Sequence, residues 1–207
     1  MKAVLVLNGE PPALSRLRSL ASRYPVYAAD GGAQVCLQAG IRPEWVVGDF
    51  DSQGKKDLPG EWELCEYPEQ DRTDFEKLLS TLPDEICELQ VLGGLGRRLD
   101  HLITNLLIVC QLPEDLKVIF EAEGQGLYRV TPGCRFDQSV KTGTTLSLLP
   151  LQEVAGVSTS GLKWNLENQR MGPGLQLGQS NEVVGEVTIR IGSGNVFVWV
   201  EECCGLF

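Results

Sequence analysis

Residues 3–30 read AVLVLNGEPPALSRLRSLASRYPVYAAD, and their periodicity changes twice. Residues 3–7 are a continuous apolar run, as expected of a strand buried on both faces. Pro11 and Pro12 then mark a helix start, after which Leu14, Leu17, Leu20 and Ala21 recur at helical spacing. Residues 26–29 form a second β-rich run that ends at Asp30. A strand, a helix and a strand in succession predict a crossover unit of a parallel sheet.

The rhythm continues outward from this unit. Further strands are expected at residues 45–47, 63–67, 89–92 and 118–120. Thr73-Asp74-Phe75-Glu76 fits a capping box and opens a helix with Phe75, Leu78 and Leu79 on one face. Asp100 is placed to cap the next helix, with Leu102, Ile103, Leu106 and Leu107 on its inward side. After about residue 124 the helical periodicity stops and two-residue alternation takes over. Val187, Ile189 and Ile191 are expected to form a hairpin with Val196, Val198 and Val200 through the turn Gly192-Ser193-Gly194-Asn195. The fold expected is therefore α/β over residues 1–124, with a parallel sheet, followed by a smaller all-β domain over residues 125–207.

The chain has 207 residues, 43% of them hydrophobic, which supports an ordinary globular core and excludes disordered and fibrous classes. Eighteen Lys and Arg against 28 Asp and Glu give a formal net charge of −10, so the summed field repels nucleic-acid backbones and anionic lipid. No nucleic-acid or membrane partner is expected, since no apolar run approaches bilayer length. The start of the chain reads as a strand and not as a secretory signal. Seven cysteines without a C-x-x-C pair read as reduced thiols in a cytoplasmic protein.

Acidic residues follow the expected strands at four places: Asp30; Asp49 and Asp51; Asp71 and Asp74; and Asp100. In an open parallel sheet the carboxyl ends of the strands share one edge, where ligands bind, so these clusters are expected to converge. Gathered carboxylates need a cation, and hard oxygen donors with little His or Cys nearby suit Mg²⁺ better than Zn²⁺. Asp71, Asp74 and Asp100 also sit where helix capping and dipole complementarity would place an acidic residue. Asp49-Phe50-Asp51 has no helix pattern close behind it, and there the metal reading is preferred.

Gly93, Gly94 and Gly96 precede Arg97 and Arg98, a turn suited to phosphate oxygens, although neither the P-loop nor the dinucleotide fingerprint is present. His101 is the only histidine and follows Asp100 at a helix start, which disfavours acyl-transfer hydrolysis through a histidine. In the second part, Ser158-Thr159-Ser160-Gly161-Leu162-Lys163-Trp164-Asn165-Leu166 is dense in side chains that contact ligands. Trp164 there reads either as core packing or as the wall of a pocket.

Taken together, DGGA at 30–33, GDFDS at 48–52, Gln70-Asp71-Arg72-Thr73-Asp74-Phe75, Gly94 to His101 and TSGLKWNL at 159–166, with Ser180-Asn181 later, resemble the thiamine pyrophosphokinase family. The resemblance implies an N-terminal Rossmann-like catalytic domain, a C-terminal β-sandwich, and a homodimer whose thiamine site combines domains of both subunits. It implies that Asp49, Asp51 and Asp74 hold Mg²⁺, and that Asp30, Arg98 and Asp100 shape the nucleotide and reaction site, with Gln70, Asp71 and Thr73 nearby. It also implies that Ser160, Trp164, Ser180 and Asn181 meet thiamine. The reaction implied is attack of the thiamine hydroxyl on the β-phosphorus of ATP with AMP leaving, and Asp71 or Asp100 as acceptor of the hydroxyl proton. Two alternatives are a Mg²⁺-dependent pyrophosphokinase for another small alcohol such as a pterin, and a non-catalytic module binding a nucleotide or a cation.

Overall fold

In the computed structural model, which describes residues 1–50 and 58–201, the quoted stretch forms β1 (Lys2–Val6), α1 (Leu14–Ala21) and β2 (Val26–Ala29). The chain divides into two compact units. One comprises Met1–Ile108 with Phe120–Glu123, and the other Val109–Ile119 with Gly124–Phe207.

The first unit continues with α2 (Gly32–Ala39), β3 (Val46–Gly48), β4 (Leu64–Glu66), α3 (Asp74–Thr81), β5 (Glu88–Leu92) and most of α4 (Leu99–Cys110). Its strands run in the order β5-β1-β2-β3-β4, and each neighbouring pair is parallel. The first four strands step outward in one direction and β5 returns to the other side of β1. Strand order therefore reverses at β1, where open sheets bind ligands at their carboxyl edge. Val4, Val6, Leu17, Leu20, Ala28, Ala33, Cys36, Val46 and Leu92 form part of the core. Leu17 and Leu20 are the buried face of α1, as its spacing requires.

α2 begins hard against β1. A Cβ on Gly32 would lie 2.0 Å from the Val6 carbonyl oxygen, a backbone atom that cannot turn aside. Gly32→Ala is therefore expected to cost about 2–3 kcal/mol and to lower Tm by roughly 5–10 °C. A thermal melt matching the unaltered protein would contradict this close approach.

α4 departs from expectation in two respects. Asp100 lies in its first turn and not at its N-cap. Ile103 and Leu107, expected to face inward, are 47% and 50% exposed, and Val109 is the buried residue. With Leu99, 68% exposed, they form a ridge at four-residue spacing. An apolar period identifies the face of a helix and does not say whether this chain covers it.

Lys117–Ala122 forms β6, which divides between the units, its residues from Phe120 onward belonging to the first. The second unit contains β7 (Gln125–Val130), β8 (Thr145–Leu149), β9 (Val154–Leu162), β10 (Gln169–Met171), β11 (Gly178–Arg190) and β12 (Val196–Glu201). They run in the order β10-β9-β11-β8-β12-β7, every neighbouring pair antiparallel. The expected β11–β12 hairpin does not form among the described residues, because β8 lies between the two strands and pairs with both. Val187, Ile189, Ile191, Val196, Val198 and Val200 nevertheless share one core, as their alternation requires. Alternation sets which face is buried, not which strand is the neighbour.

Among the described residues, no helix is long and apolar enough to cross a membrane. Cys36, Cys65, Cys87, Cys110 and Cys134 are free thiols.

Candidate active site

A cleft of about 570 Å³ opens at the carboxyl edge of the first unit's sheet, within the size range of small-molecule sites. Four segments meet there: Leu7-Asn8-Gly9 after β1, Asp30-Gly31 after β2, Asp49 after β3, and Gly93 to Arg98 after β5. Gln70, Arg72, Thr73, Asp74 and Lys77 complete it from the start of α3, and Asp100 and His101 from the start of α4. The expected convergence of Asp30, Asp49, Asp74, Arg98 and Asp100 on one edge is thus present. Asp71 is exposed and does not line the cleft, and Asp51 lies outside the described residues.

Local chemistry explains each placement. Phe50 has φ 51°, a left-handed conformation that costs a bulky residue about 1–2 kcal/mol, and its ring is buried in the core with Val46, Leu58 and Trp62. The anchored ring holds the turn that presents Asp49, and Gln70 Nε2 donates to Asp49 Oδ2 at 3.0 Å. Thr73 caps α3 through a complete capping box with Glu76, which fixes Asp74 in the first turn.

Asp74 is half-buried. Its pKa is raised, chiefly by burial and also by the Asp49 charge, against the opposing pull of Lys77. Two carboxylates close enough to repel in one cleft, with no cysteine in its lining, suit a hard divalent cation. Asp49 and Asp74 are the described residues that fit this role. Among the described residues no set of three His, Cys, Asp or Glu side chains is close enough to hold a metal.

Gly93, at φ 66°, brings the turn after β5 within contact of β1. A Cβ there would lie 2.3 Å from the Leu7 carbonyl oxygen. Arg97 Nη1 donates to the backbone oxygen of Asn8 at 3.2 Å and to its Oδ1 at 3.1 Å. Arg98 makes a two-pronged contact with Asp100, Nε to Oδ1 at 3.1 Å and Nη2 to Oδ2 at 2.6 Å. That hydrogen bonding holds the Asp100 carboxyl down to about 2. Both side chains are exposed, so the pair contributes little to stability and is free to exchange partners.

Lys77 was invisible to sequence reading, because a helical lysine ordinarily faces solvent. Here it is 2% exposed, with Nζ donating to the Tyr67 carbonyl at 3.0 Å and pairing with Asp74 Oδ1 at 3.5 Å. It supplies a built-in positive charge beside the acidic group. Asn8 was missed as well, since it takes its role from Arg97, about ninety positions away in the chain.

The second unit carries its own polar cluster. Trp164 is 58% exposed, which rules out the core-packing reading, and Lys163 Nζ lies 5.0 Å from its ring centroid. Lys163 also pairs with Glu182 at 2.8 Å. Ser160 and Thr188 hydroxyls are 2.7 Å apart on neighbouring strands. Ser180 has φ 58°, and its N–H donates to Ser147 Oγ at 2.9 Å. Asn165 Oδ1 accepts from the Leu162 N–H at 3.1 Å, which folds the turn around Trp164 onto itself.

A parallel sheet with an acidic, glycine-lined cleft at its switch point, followed by an antiparallel unit, defines a mixed α/β protein with a small-molecule cleft. The sequence pattern described as thiamin pyrophosphokinase, catalytic domain, matches residues 18–120, and that described as thiamin pyrophosphokinase, vitamin B1 binding domain, matches residues 134–196. The chain belongs to the thiamin pyrophosphokinase family. It is 30% identical over 209 residues to thiamin pyrophosphokinase 1 of Caenorhabditis elegans, covering 92% of this chain and 86% of that one. It is 27% identical over 232 residues to thiamine pyrophosphokinase 1 of Oryza sativa subsp. japonica, covering 95% and 85%. The crystal structure of thiamin pyrophosphokinase from Geobacillus thermodenitrificans shares the fold, with a TM-score of 0.79 at 23% identity and complete coverage of both chains. That of the Candida albicans enzyme gives 0.79 at 19% identity, covering 97% of this chain and 90% of the other.

Proposed function

We propose that this chain transfers the pyrophosphoryl group of ATP to the hydroxyl of thiamine, giving thiamine diphosphate and AMP, with Mg²⁺ required. The observation that carries the proposal is the match of both parts of the chain, in order, to the two domains of one enzyme family. That match favours thiamine over a pterin, and catalysis over simple binding. We read the first unit as Rossmann-like and the second as a β-sandwich. Residues 1–124 serve the nucleotide and the chemistry, and residues 125–207 serve thiamine.

In this reading Asp49, Asp51 and Asp74 hold Mg²⁺, which when bound neutralises charge on the triphosphate. Gln70 orients Asp49, Thr73 fixes Asp74, and Asp30 and Arg98 bind the nucleotide. The thiamine hydroxyl oxygen forms a bond to the β-phosphorus, the bond from that phosphorus to the oxygen bridging the α-phosphate breaks, and AMP departs. Asp100, which lines the cleft as Asp71 does not, is the better placed acceptor of the hydroxyl proton. While Arg98 holds it, its low pKa makes it a weak base, and a phosphate that draws Arg98 away raises its affinity for the proton.

Ser160, Trp164, Ser180 and Asn181 are assigned to the thiamine site, whether by contact or by holding a residue that makes it. An exposed indole offers its face to the flat thiazolium cation. Trp164→Ala is expected to weaken thiamine binding by about 2- to 30-fold with Tm nearly unchanged. A large fall in Tm with unaltered KM for thiamine would reverse the assignment.

The exposed ridge of α4 supports a homodimer, since an apolar surface of this kind is commonly covered by a subunit contact. The free thiols support a cytoplasmic location. Incubation with ATP, Mg²⁺ and either thiamine or a hydroxymethylpterin, followed by chromatography, tests the function. AMP and thiamine diphosphate are expected with thiamine only, and AMP formation with the pterin alone would overturn the substrate.

A further inference from the structure

The β9–β11 ladder reaches Leu162↔Val183 and is extended by the Lys163 N–H donating to the Glu182 carbonyl at 2.9 Å. On its other edge β11 pairs with β8, where Asn181 lies opposite Leu146 and the register shifts between Gly178 and Asn181, and Ser180 adopts its left-handed conformation. β9 ends at Leu162, so the backbone of Trp164 lies beyond the ladder. The Asn181 side chain takes the place of a strand partner there. Its Oδ1 accepts from the Trp164 N–H at 3.1 Å, and its Nδ2 donates to the Trp164 carbonyl oxygen at 2.7 Å.

A carboxamide carries a donor and an acceptor side by side, as a peptide unit does, so this contact imitates one rung of a sheet. Oδ1 accepts a second hydrogen bond from the Glu182 N–H at 2.9 Å, which uses both of its lone pairs. Asn181 is only 8% exposed, whereas the indole it supports is mostly in solvent. The orientation of that indole therefore depends on how the Trp164 backbone is held.

We propose that Asn181 is a positioning residue that acts on thiamine through Trp164, by fixing the Trp164 backbone so that the exposed indole is preset for the flat cation. This rests on the reading of Trp164 as a thiamine-facing residue, and the test separates the two.

The most telling variant is Asn181→Asp. It keeps the volume and the acceptor but removes the Nδ2 donor, and sets a carboxylate oxygen against the Trp164 carbonyl. If Asn181 touched thiamine directly, its variants would change binding whether or not Trp164 is present. If it acts through Trp164, binding weakens only while Trp164 is present. Asn181→Asp and Asn181→Ala are prepared in the full chain, each with and without Trp164→Ala, and thiamine affinity is measured by equilibrium binding alongside thermal melts. Either Asn181 variant is expected to weaken thiamine by about 5-fold or more when Trp164 is present, and to add nothing when Trp164 is already alanine. Losses that add in both backgrounds, or tighter binding by Asn181→Asp, overturn this proposal alone.

A second readout needs no ligand. In protein labelled with 5-fluorotryptophan, the ¹⁹F resonance missing from Trp164→Phe identifies Trp164. It is expected to move toward the solvent-exposed value in Asn181→Asp while those of Trp45, Trp62 and Trp199 stay in place, and an unmoved Trp164 resonance overturns the proposal. Trp164→Ala that binds thiamine as tightly as the unaltered chain overturns the assignment of Trp164 and this proposal with it.

Discussion

Asp49→Asn lowers kcat by about 100-fold or more at saturating Mg²⁺ while Tm stays within a few degrees of the unaltered protein, because several kcal/mol of charge stabilisation in the transition state is lost and little packing is. Asparagine matches aspartate in shape, and its Oδ1 can still accept the hydrogen bond from Gln70 Nε2. Phe50, whose buried ring anchors the turn, is untouched. The substitution also removes the charge that raises the pKa of Asp74, so that pKa falls. Steady-state kinetics over a Mg²⁺ series, with melts in parallel, checks the prediction. Turnover near that of the unaltered protein would overturn the metal assignment of Asp49.

Arg98→Lys lowers kcat by about 10- to 100-fold with Tm unchanged, since an ammonium is a point charge and cannot reproduce the planar fork of a guanidinium on phosphate oxygens. The fork is already formed, because Arg98 grips Asp100 through two nitrogens. Exposure of both partners means that loosening the grip costs the fold almost nothing. Kinetics with varied ATP separates a loss in kcat from a loss in KM. A variant silent in both would reduce Arg98 to a surface ion pair.

Local chemistry was legible in the sequence, and chemistry between distant segments was not. The strand-helix-strand start and the Thr73 capping box depend on residues within a turn of one another, so spacing alone reveals them. The convergence of Asp30, Asp49, Asp74 and Asp100 was legible through a rule of topology, that parallel strands share a carboxyl edge. The burial of Lys77 depends on the Tyr67 carbonyl, and the place of β8 between β11 and β12 depends on strand pairing, neither of which leaves a periodic trace. Asn181 is the sharpest case. Its pairing with the backbone of Trp164 lies beyond the end of β9, and no composition or spacing signals it. The ridge on α4 was legible as apolar, but its exposure was not.

Pyrophosphoryl transfer from ATP to thiamine is tested most directly by ³¹P NMR of the protein with ATP, Mg²⁺ and thiamine. AMP and thiamine diphosphate are expected to grow at equal rates as ATP declines, with neither forming without thiamine and no ADP accumulating. ADP appearing with thiamine monophosphate, or ATP consumed to ADP and inorganic phosphate whether or not thiamine is present, would contradict it.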